Sequence, residues 1–372
     1  MCTRVAVDGQ IDPLSHLPPT PPSNIWVRYF SDKPVAVRDR VTISNPRTAV
    51  EVAKAFIGGN TTHSNEPKIV IEAFPGPGQL SRALLTLPPS KLKKLIILES
   101  YGPYLDYLTP LAEADPRVEL VHLSGFNWDT YKHLEEAGIL DDVEKMSWDA
   151  GVHPTLHFIT HITMSAHGDQ LVAQLFRNIS EKAWLFKYGR VPMSFLMSEA
   201  LWNRLSGGPG SQERCKVGVI AEATAQTNLA LPYENLQPFT NHFHPLKDPH
   251  LYHERKREGR RIGTPFVALN SVPLKDQILQ SGALTEWDYV LRKLFVQKAT
   301  PLKDALSLLA PGAHHLLKYI NEDLTPEQQV DYAKEIRMLS LQDWSHIVRA
   351  FEEWPFKPEV RSLPPVSHRI DG

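Results

Sequence analysis

Lys68-Ile-Val-Ile-Glu72-Ala-Phe-Pro-Gly-Pro-Gly-Gln-Leu-Ser81 passes from a short apolar run through a proline- and glycine-rich turn into a helical pattern. Lys68–Glu72 has the form of a buried strand ending in an acid. Pro75-Gly76-Pro77-Gly78 interrupts it. Leu80, Ala83, Leu84 and Leu87 then recur on one helical face until Pro88-Pro89 stops them. Glycine in such a turn lets the backbone approach a ligand closely. An acid closing the next strand commonly receives the two hydroxyls of a ribose. Glu99, 18 residues after Ser81, closes Leu95-Ile-Ile-Leu98. The turn alone is equally a plain turn; flanked by strands, with Glu99 in place, it predicts a cofactor-type pocket.

The alternation continues outward. A helix is expected from about Pro103 to Ala114, a third strand over Val118–Leu123 and a fourth over His157–Thr160. Ser165 is placed to cap a helix burying Leu171, Val172, Leu175, Phe176 and Ile179, and Phe266–Leu269 is a late strand. Continuous apolar strands separated by helices predict a parallel sheet covered on both faces, an α/β doubly wound domain. Beyond about residue 280 the pattern is purely helical. Trp287, Val290, Leu291, Leu294 and Phe295 share a face, and Thr300-Pro301 opens a helix burying Leu302, Ala305, Leu306 and Leu309. Thr325-Pro-Glu-Gln328 has the form of a capping box. Ser340 caps a last helix burying Trp344, Ile347, Val348 and Phe351, which Pro355 ends.

The predicted organisation is therefore an extended N-terminal arm over 1–40, an α/β domain over 41–278, a small all-helical domain over 279–356 and a tail over 357–372. Pro18-Pro19-Thr20-Pro21-Pro22 keeps the arm from being helical, and the tail lacks the periodicity to fold.

Composition narrows the function. An apolar share of 42% and a charged share of 22% are those of a globular protein, and no apolar run is long enough to span a membrane. A net charge of -2 confines nucleic-acid binding to local basic patches. Cys2 and Cys215 are the only cysteines, too few for a disulfide framework. His242-Phe-His244 and His314-His315 lack partner ligands at zinc spacing, so no metal is expected. Ser206-Gly-Gly-Pro-Gly-Ser211 lacks the Gly-Lys-Ser/Thr of a phosphate loop.

The order and spacing of these segments resemble the ribosomal RNA adenine dimethylase family, over about Val41 to Phe356. In its methylating members the turn reads Glu-Ile-Gly-Pro-Gly-x-Gly-x-Leu-Thr. Here Pro75, Gly76, Gly78 and Leu80 match, and Phe74 replaces the first glycine. Lys187-Tyr-Gly-Arg190, read as preceding a long helix, is similar to a signature of the transcription factor B branch. Phe295-Val-Gln-Lys-Ala-Thr-Pro-Leu-Lys-Asp-Ala-Leu306 and Trp354-Pro-Phe356 resemble the family's C-terminal segments. The resemblance implies a Rossmann-like class I S-adenosylmethionine methyltransferase domain with a small all-helical C-terminal domain. It implies cofactor contacts from Val41, Ile43, Phe74, Gly76, Gly78, Glu99, Ser124 and His161.

Several family residues are missing. The Asn/Asp-Leu/Pro-Pro-Tyr/Phe turn that holds a flipped adenine is replaced by Thr160-His161-Ile162-Thr163-Met164, without proline or stacking ring. Gln-Asn-Phe-Leu-x-Asp becomes Arg40-Val-Thr-Ile-Ser-Asn45, and the acid after the third strand becomes Ser124. The pocket is expected to bind S-adenosylmethionine weakly or to stand vacant. The resemblance then implies a mitochondrial transcription initiation factor, working as a monomer with the mitochondrial RNA polymerase and promoter DNA. An active dimethylase of mitochondrial small-subunit rRNA is the alternative, and a methyltransferase-like scaffold with another partner the third.

Candidate nucleic-acid contacts are the basic insertion Arg255, Lys256, Arg257, Arg260 and Arg261, and Arg292, Lys293 and Lys298 beside the apolar stripe of the first C-terminal helix. Trp128, after the third strand, is a candidate base-stacking ring.

Overall fold

The computed structural model describes residues 17–21, 25–26, 40–58, 64–244 and 263–360. These divide into two compact units. The first comprises 1–172, 184–201 and 227–273; the second comprises 173–183, 202–226 and 274–372.

The first unit is built on a seven-stranded sheet of β2 (Lys68–Ala73), β3 (Leu92–Leu98), β4 (Val118–Val121), β5 (Leu156–His161), β6 (Met193–Ser198), β7 (Ala225–Leu229) and β9 (Phe266–Pro273). Their spatial order is β4-β3-β2-β5-β6-β9-β7. Strands β4, β3, β2, β5 and β6 run parallel, and β9 is antiparallel to β6. All six residues of β2 are buried, as are all six of β5. That is why these strands read as unbroken apolar runs rather than alternating ones. The third strand stops at Val121, two residues short of expectation, where the Leu123 N–H turns back onto Val121 O at 2.8 Å.

Strand order reverses at β2, which lies between β3 and β5, and open α/β sheets gather their ligands at this point. Helix α1 (Pro46–Ile57) follows β1 (Thr42–Ile43), and Asn45 caps it by accepting from the Arg47 and Thr48 N–H groups. Helix α2 (Gln79–Leu85) follows the glycine turn, α3 (Gly102–Ala114) follows β3 and α4 (Trp128–Glu136) follows β4. A two-stranded antiparallel ribbon joins β1 to β8 (Phe243–His244).

The first unit departs from expectation at one further place. After Lys187-Tyr-Gly-Arg190 the chain enters β6 instead of a long helix. Gly189 at φ +119 and Pro192 turn it into the sheet, and only then does α6 (Glu199–Ser206) begin. The described parts of the arm are packed rather than free. Leu17 and Trp26 are buried, the Trp26 ring lies 5.0 Å from that of His244, and the Pro18 carbonyl accepts from Arg82 Nε at 2.7 Å.

A buried polar chain crosses the sheet. Asn270 Nδ2 donates to the Ala55 carbonyl at 3.0 Å, so Asn270 Oδ1 accepts from Ser194 Oγ at 2.6 Å. Ser194 then has only lone pairs for His157, whose Nε2–H donates at 2.8 Å. Burial, reinforced by the charge of Lys68, pushes His157 down to about 3. Below its ordinary value near 6.5 the unfolded chain takes up a proton that the folded chain refuses. This stability is complete above pH 6.5 and lost as pH falls toward 3. Urea unfolding is expected to show about 2 kcal/mol of destabilisation from this group between pH 7 and pH 5. In His157→Gln that pH-dependent part should vanish; an equal fall in the variant would assign it elsewhere.

The second unit includes α7 (Lys216–Thr224), α8 (Leu284–Leu294), α9 (Leu302–Ala305), α10 (Leu317–Ile320) and α11 (Leu341–Glu353). Helix α5 (Ala166–Ser180) contributes its second half. The unit thus takes in segments well before residue 279. The Leu274 N–H donates to Thr224 O at 2.8 Å, and the Gly282 N–H to Glu181 Oε1 at 3.2 Å, ties that no local sequence pattern announces. Ser340 and Asp343 form a reciprocal capping box on α11, and Trp344 and Phe351 are fully buried. Phe295 stacks on Trp344 at 5.3 Å, and Tyr289 on Phe351 at 5.4 Å.

Two expected helix starts differ. Pro301 stands at the N-cap of α9 with ψ 144, not inside it. Thr325–Gln328 opens no helix: the Gln328 N–H closes a turn onto Thr325 O at 2.9 Å, while Gln328 Oε1 accepts from the Thr325 N–H at 3.4 Å. Only one of the two bonds of a capping box forms, and no apolar stripe follows to continue a helix. Residues 361–372 lie outside the described part.

Candidate functional site

At the switch point the backbone keeps the shape of a glycine turn even where glycine is gone. Phe74 adopts φ +60, a left-handed conformation that costs a side-chain-bearing residue about 1–2 kcal/mol. Gly76 at φ +61 has no room for a side chain, since a Cβ would stand 2.3 Å from Thr42 Cγ2. Gly78, at φ +83, would meet Leu108 Cδ2 at 2.6 Å. Both glycines are therefore required by close packing, of Thr42 from β1 against Gly76 and of Leu108 from α3 against Gly78.

Glu99, the acid placed to receive a ribose, is already engaged. Arg40 Nη1 donates to Glu99 Oε1 at 2.9 Å and Oε2 at 2.7 Å, and Oε1 also accepts from the Ser100 and Tyr101 N–H groups at 2.9 Å each. The Arg40 and Glu99 side chains are 6% and 0% exposed. The guanidinium is held over two rings, 5.0 Å from the Phe74 centroid and 5.7 Å from that of Tyr104. Phe74, the substitution in the glycine turn, thus packs the cation that neutralises Glu99. These residues do not suit a ribose at Glu99, because its hydroxyls would compete with a buried, charge-assisted pair.

The remaining expected cofactor residues divide. Val41 and Ile43 are buried in the core of the first unit. Ser124 Oγ accepts from the Phe126 N–H at 3.3 Å, within its own turn. His161 ends β5 with Nε2 3.4 Å from Glu72 Oε1, while Glu72 Oε2 accepts from Ser81 Oγ at 2.6 Å. Among the described residues, Glu72 Oε1, both His161 ring nitrogens, Thr160 Oγ1 and Thr42 Oγ1 are buried without a hydrogen-bond partner. In the replaced catalytic turn, Thr160, His161 and Ile162 are buried, and the Ile162 N–H continues the sheet by donating to Leu196 O at 2.8 Å. Thr163 Oγ1 lies 3.0 Å from Ser165 Oγ, and Met164 packs half-buried on the core. No aromatic ring is presented at this turn.

Arg82 fills the other flank. Buried, and pushed down to about 10 by that burial, it donates to four backbone carbonyls, those of Pro18, Pro77, Gly78 and Tyr107. Arg40 and Arg82 were not picked out from sequence as site residues. The available signal was an arginine standing where the family has glutamine, upstream of an unpaired strand-ending acid.

Of the candidate nucleic-acid residues, Arg255, Lys256, Arg257, Arg260 and Arg261 lie outside the described part. Arg292 and Lys293 lie 5.9 and 5.6 Å from the Tyr289 ring at the end of α8, and Lys298 is exposed, with Nζ donating to Gln212 O. Trp128 is no free base-stacking ring. It packs edge-on to Trp184 at 5.5 Å, within a cluster in which Trp184 also meets Tyr131 and Phe158 at 4.8 and 4.9 Å. Among the described residues, no group of three or more His, Cys, Asp or Glu is arranged to hold a metal.

A model of the ribosomal RNA adenine dimethylase family matches residues 52–346. The chain belongs to that family. Two curated relatives named Mitochondrial transcription factor 1 are each 26% identical over 302 residues. That of Lachancea kluyveri covers 81% of this chain and 85% of its own length, and that of Saccharomyces cerevisiae 80% and 83%. Mitochondrial dimethyladenosine transferase 1 of Bos taurus is 23% identical over 259 residues, 69% of this chain and 70% of its own. A solved dimethyladenosine transferase from Plasmodium falciparum shares the dimethylase fold, with a TM-score of 0.51 at 14% identity over 84% of this chain and 97% of its own.

Proposed function

We propose that this dimethylase-family chain is a mitochondrial transcription initiation factor. It works with the mitochondrial RNA polymerase in recognising and melting promoter DNA, and its cofactor pocket is vestigial. The buried Arg40–Glu99 pair carries this reading, because the protein supplies internally the partner that S-adenosylmethionine would offer through its ribose. The catalytic turn points the same way. Thr160–Met164 offers neither a stacking ring nor a proline-fixed carbonyl to a target adenine. The names and high mutual coverage of the Mitochondrial transcription factor 1 relatives support the same assignment. In this reading the fold serves as a scaffold for nucleic acid, and Arg292, Lys293, Lys298 and the basic insertion supply phosphate contacts.

The test pairs two measurements. Purified protein is titrated with S-adenosylmethionine by calorimetry, and is added to mitochondrial RNA polymerase on duplex and pre-melted promoters. Stimulation on the duplex, with cofactor binding too weak to saturate, is the expected result. Sub-micromolar binding with transfer of a labelled methyl to small-subunit rRNA would establish the dimethylase alternative instead.

A further inference from the structure

In the second unit, cations from two segments meet one buried acid. Asp288 on α8 is 5% exposed. Its Oδ2 is ion-paired with Arg177 of α5 and its Oδ1 lies 3.2 Å from Lys216 Nζ, the first residue of α7. Each carboxylate oxygen therefore already carries a cation. Arg292 follows Asp288 by one helical turn on the same face of α8, is exposed, and among the described residues enters no ion pair. Arg177, Lys216 and Arg292 thus outnumber Asp288 and Glu181, the acid that acts on Arg177. Lys216 also opens a nine-residue helix whose Cys215 N-cap provides no side-chain acceptor and whose first turn holds no acid, so the positive end of the helix adds to the excess.

We propose that Lys216 and Arg292 form a binding site for a phosphodiester of single-stranded DNA, held in position by Arg177 and Asp288. This rests on the nucleic-acid reading above and identifies where the second unit grips the strand. Asp288 keeps Arg177 and Lys216 in place without neutralising Arg292. The Lys216 side chain is 30% exposed, enough to reach a ligand oxygen from its anchored position. Burial first, then the guanidinium groups of Arg177 and Arg292, hold Lys216 down to about 8, with Cys215 opposing. An arriving anion relieves that repulsion and favours the protonated amine.

Fluorescence anisotropy of the full chain with a single-stranded oligothymidylate, across a salt series, tests the site. Lys216→Met and Arg292→Gln are each expected to weaken binding about 3- to 10-fold. Together they should flatten the log–log salt slope by about 1.4, or about 0.7 for each lost contact on a single strand. Lys216→Arg should restore the slope, which a merely structural role would not require. Unchanged affinity and slope in the folded double variant would overturn the site. Displacement of the oligonucleotide by millimolar inorganic phosphate, with the slope unaltered in the variants, would overturn the nucleic-acid assignment. If wild-type protein stimulates duplex transcription while the slope is unchanged, this site alone fails. If it does not stimulate, the functional reading fails, and the slope still decides the site.

Discussion

Replacing Arg40 by methionine is expected to lower the stability of the protein by about 3 kcal/mol at pH 7, with a drop in Tm of roughly 10 °C. The methionine keeps most of the volume between the Phe74 and Tyr104 rings but leaves the Glu99 carboxylate buried without its cation. The Ser100 and Tyr101 N–H groups still hold Glu99 Oε1, which places the loss at the lower end of the range for a broken buried pair. Adding Glu99→Gln should recover much of the loss, because the pair is then neutral on both sides. The cycle of single and double variants, measured by urea unfolding, gives the coupling energy. A loss below about 1 kcal/mol for Arg40→Met would mean that the ion pair is not what closes the pocket.

The second large effect belongs to the helical unit. Trp344→Ala is expected to cost about 3–5 kcal/mol, since the indole is fully buried and its removal leaves a cavity beneath the stacked Phe295 ring. Trp344→Phe keeps an aromatic partner at that position and should lose less than half as much. Chemical denaturation and limited proteolysis are the measurements, with new cleavage expected within α8 and α11. A near-neutral Trp344→Ala would show that the unit has no tightly packed centre there.

Strands β2 and β5 and the second half of β3 were legible because burial on both faces writes itself as continuous apolar runs. Lys68–Ala73 and Leu95–Leu98 are such runs, and Gly76 and Gly78 marked the turn after the first. The last helix was legible from Ser340 and a 3.6-residue stripe. Strands β1 and β8 have two residues each, too few for any period to register. Strand β6 was hidden behind the Lys187–Arg190 segment, which was matched to a helix-preceding signature. Trp128 shows the limit for single side chains. A tryptophan just after a strand is either a free ring or part of a cluster, and only the positions of Tyr131, Phe158 and Trp184 distinguish the two.

Local chemistry fixed the class of fold: strand and helix periods, proline stops and glycine turns act over a few residues and leave their pattern in the chain. The departure from the family's adenine-binding motif was likewise written at Thr160–Met164. Which residue meets Glu99 was decided only by folding. Arg40 and Glu99 are 59 positions apart, and no local pattern records that a guanidinium will meet that carboxylate. Lys216 and Arg177 reach Asp288 in the same way, from separate segments of the second unit. A charged side chain looks alike in sequence whether it ends in water or against a buried partner. The difference is a matter of desolvation and distance, which exist only once the chain has closed on itself.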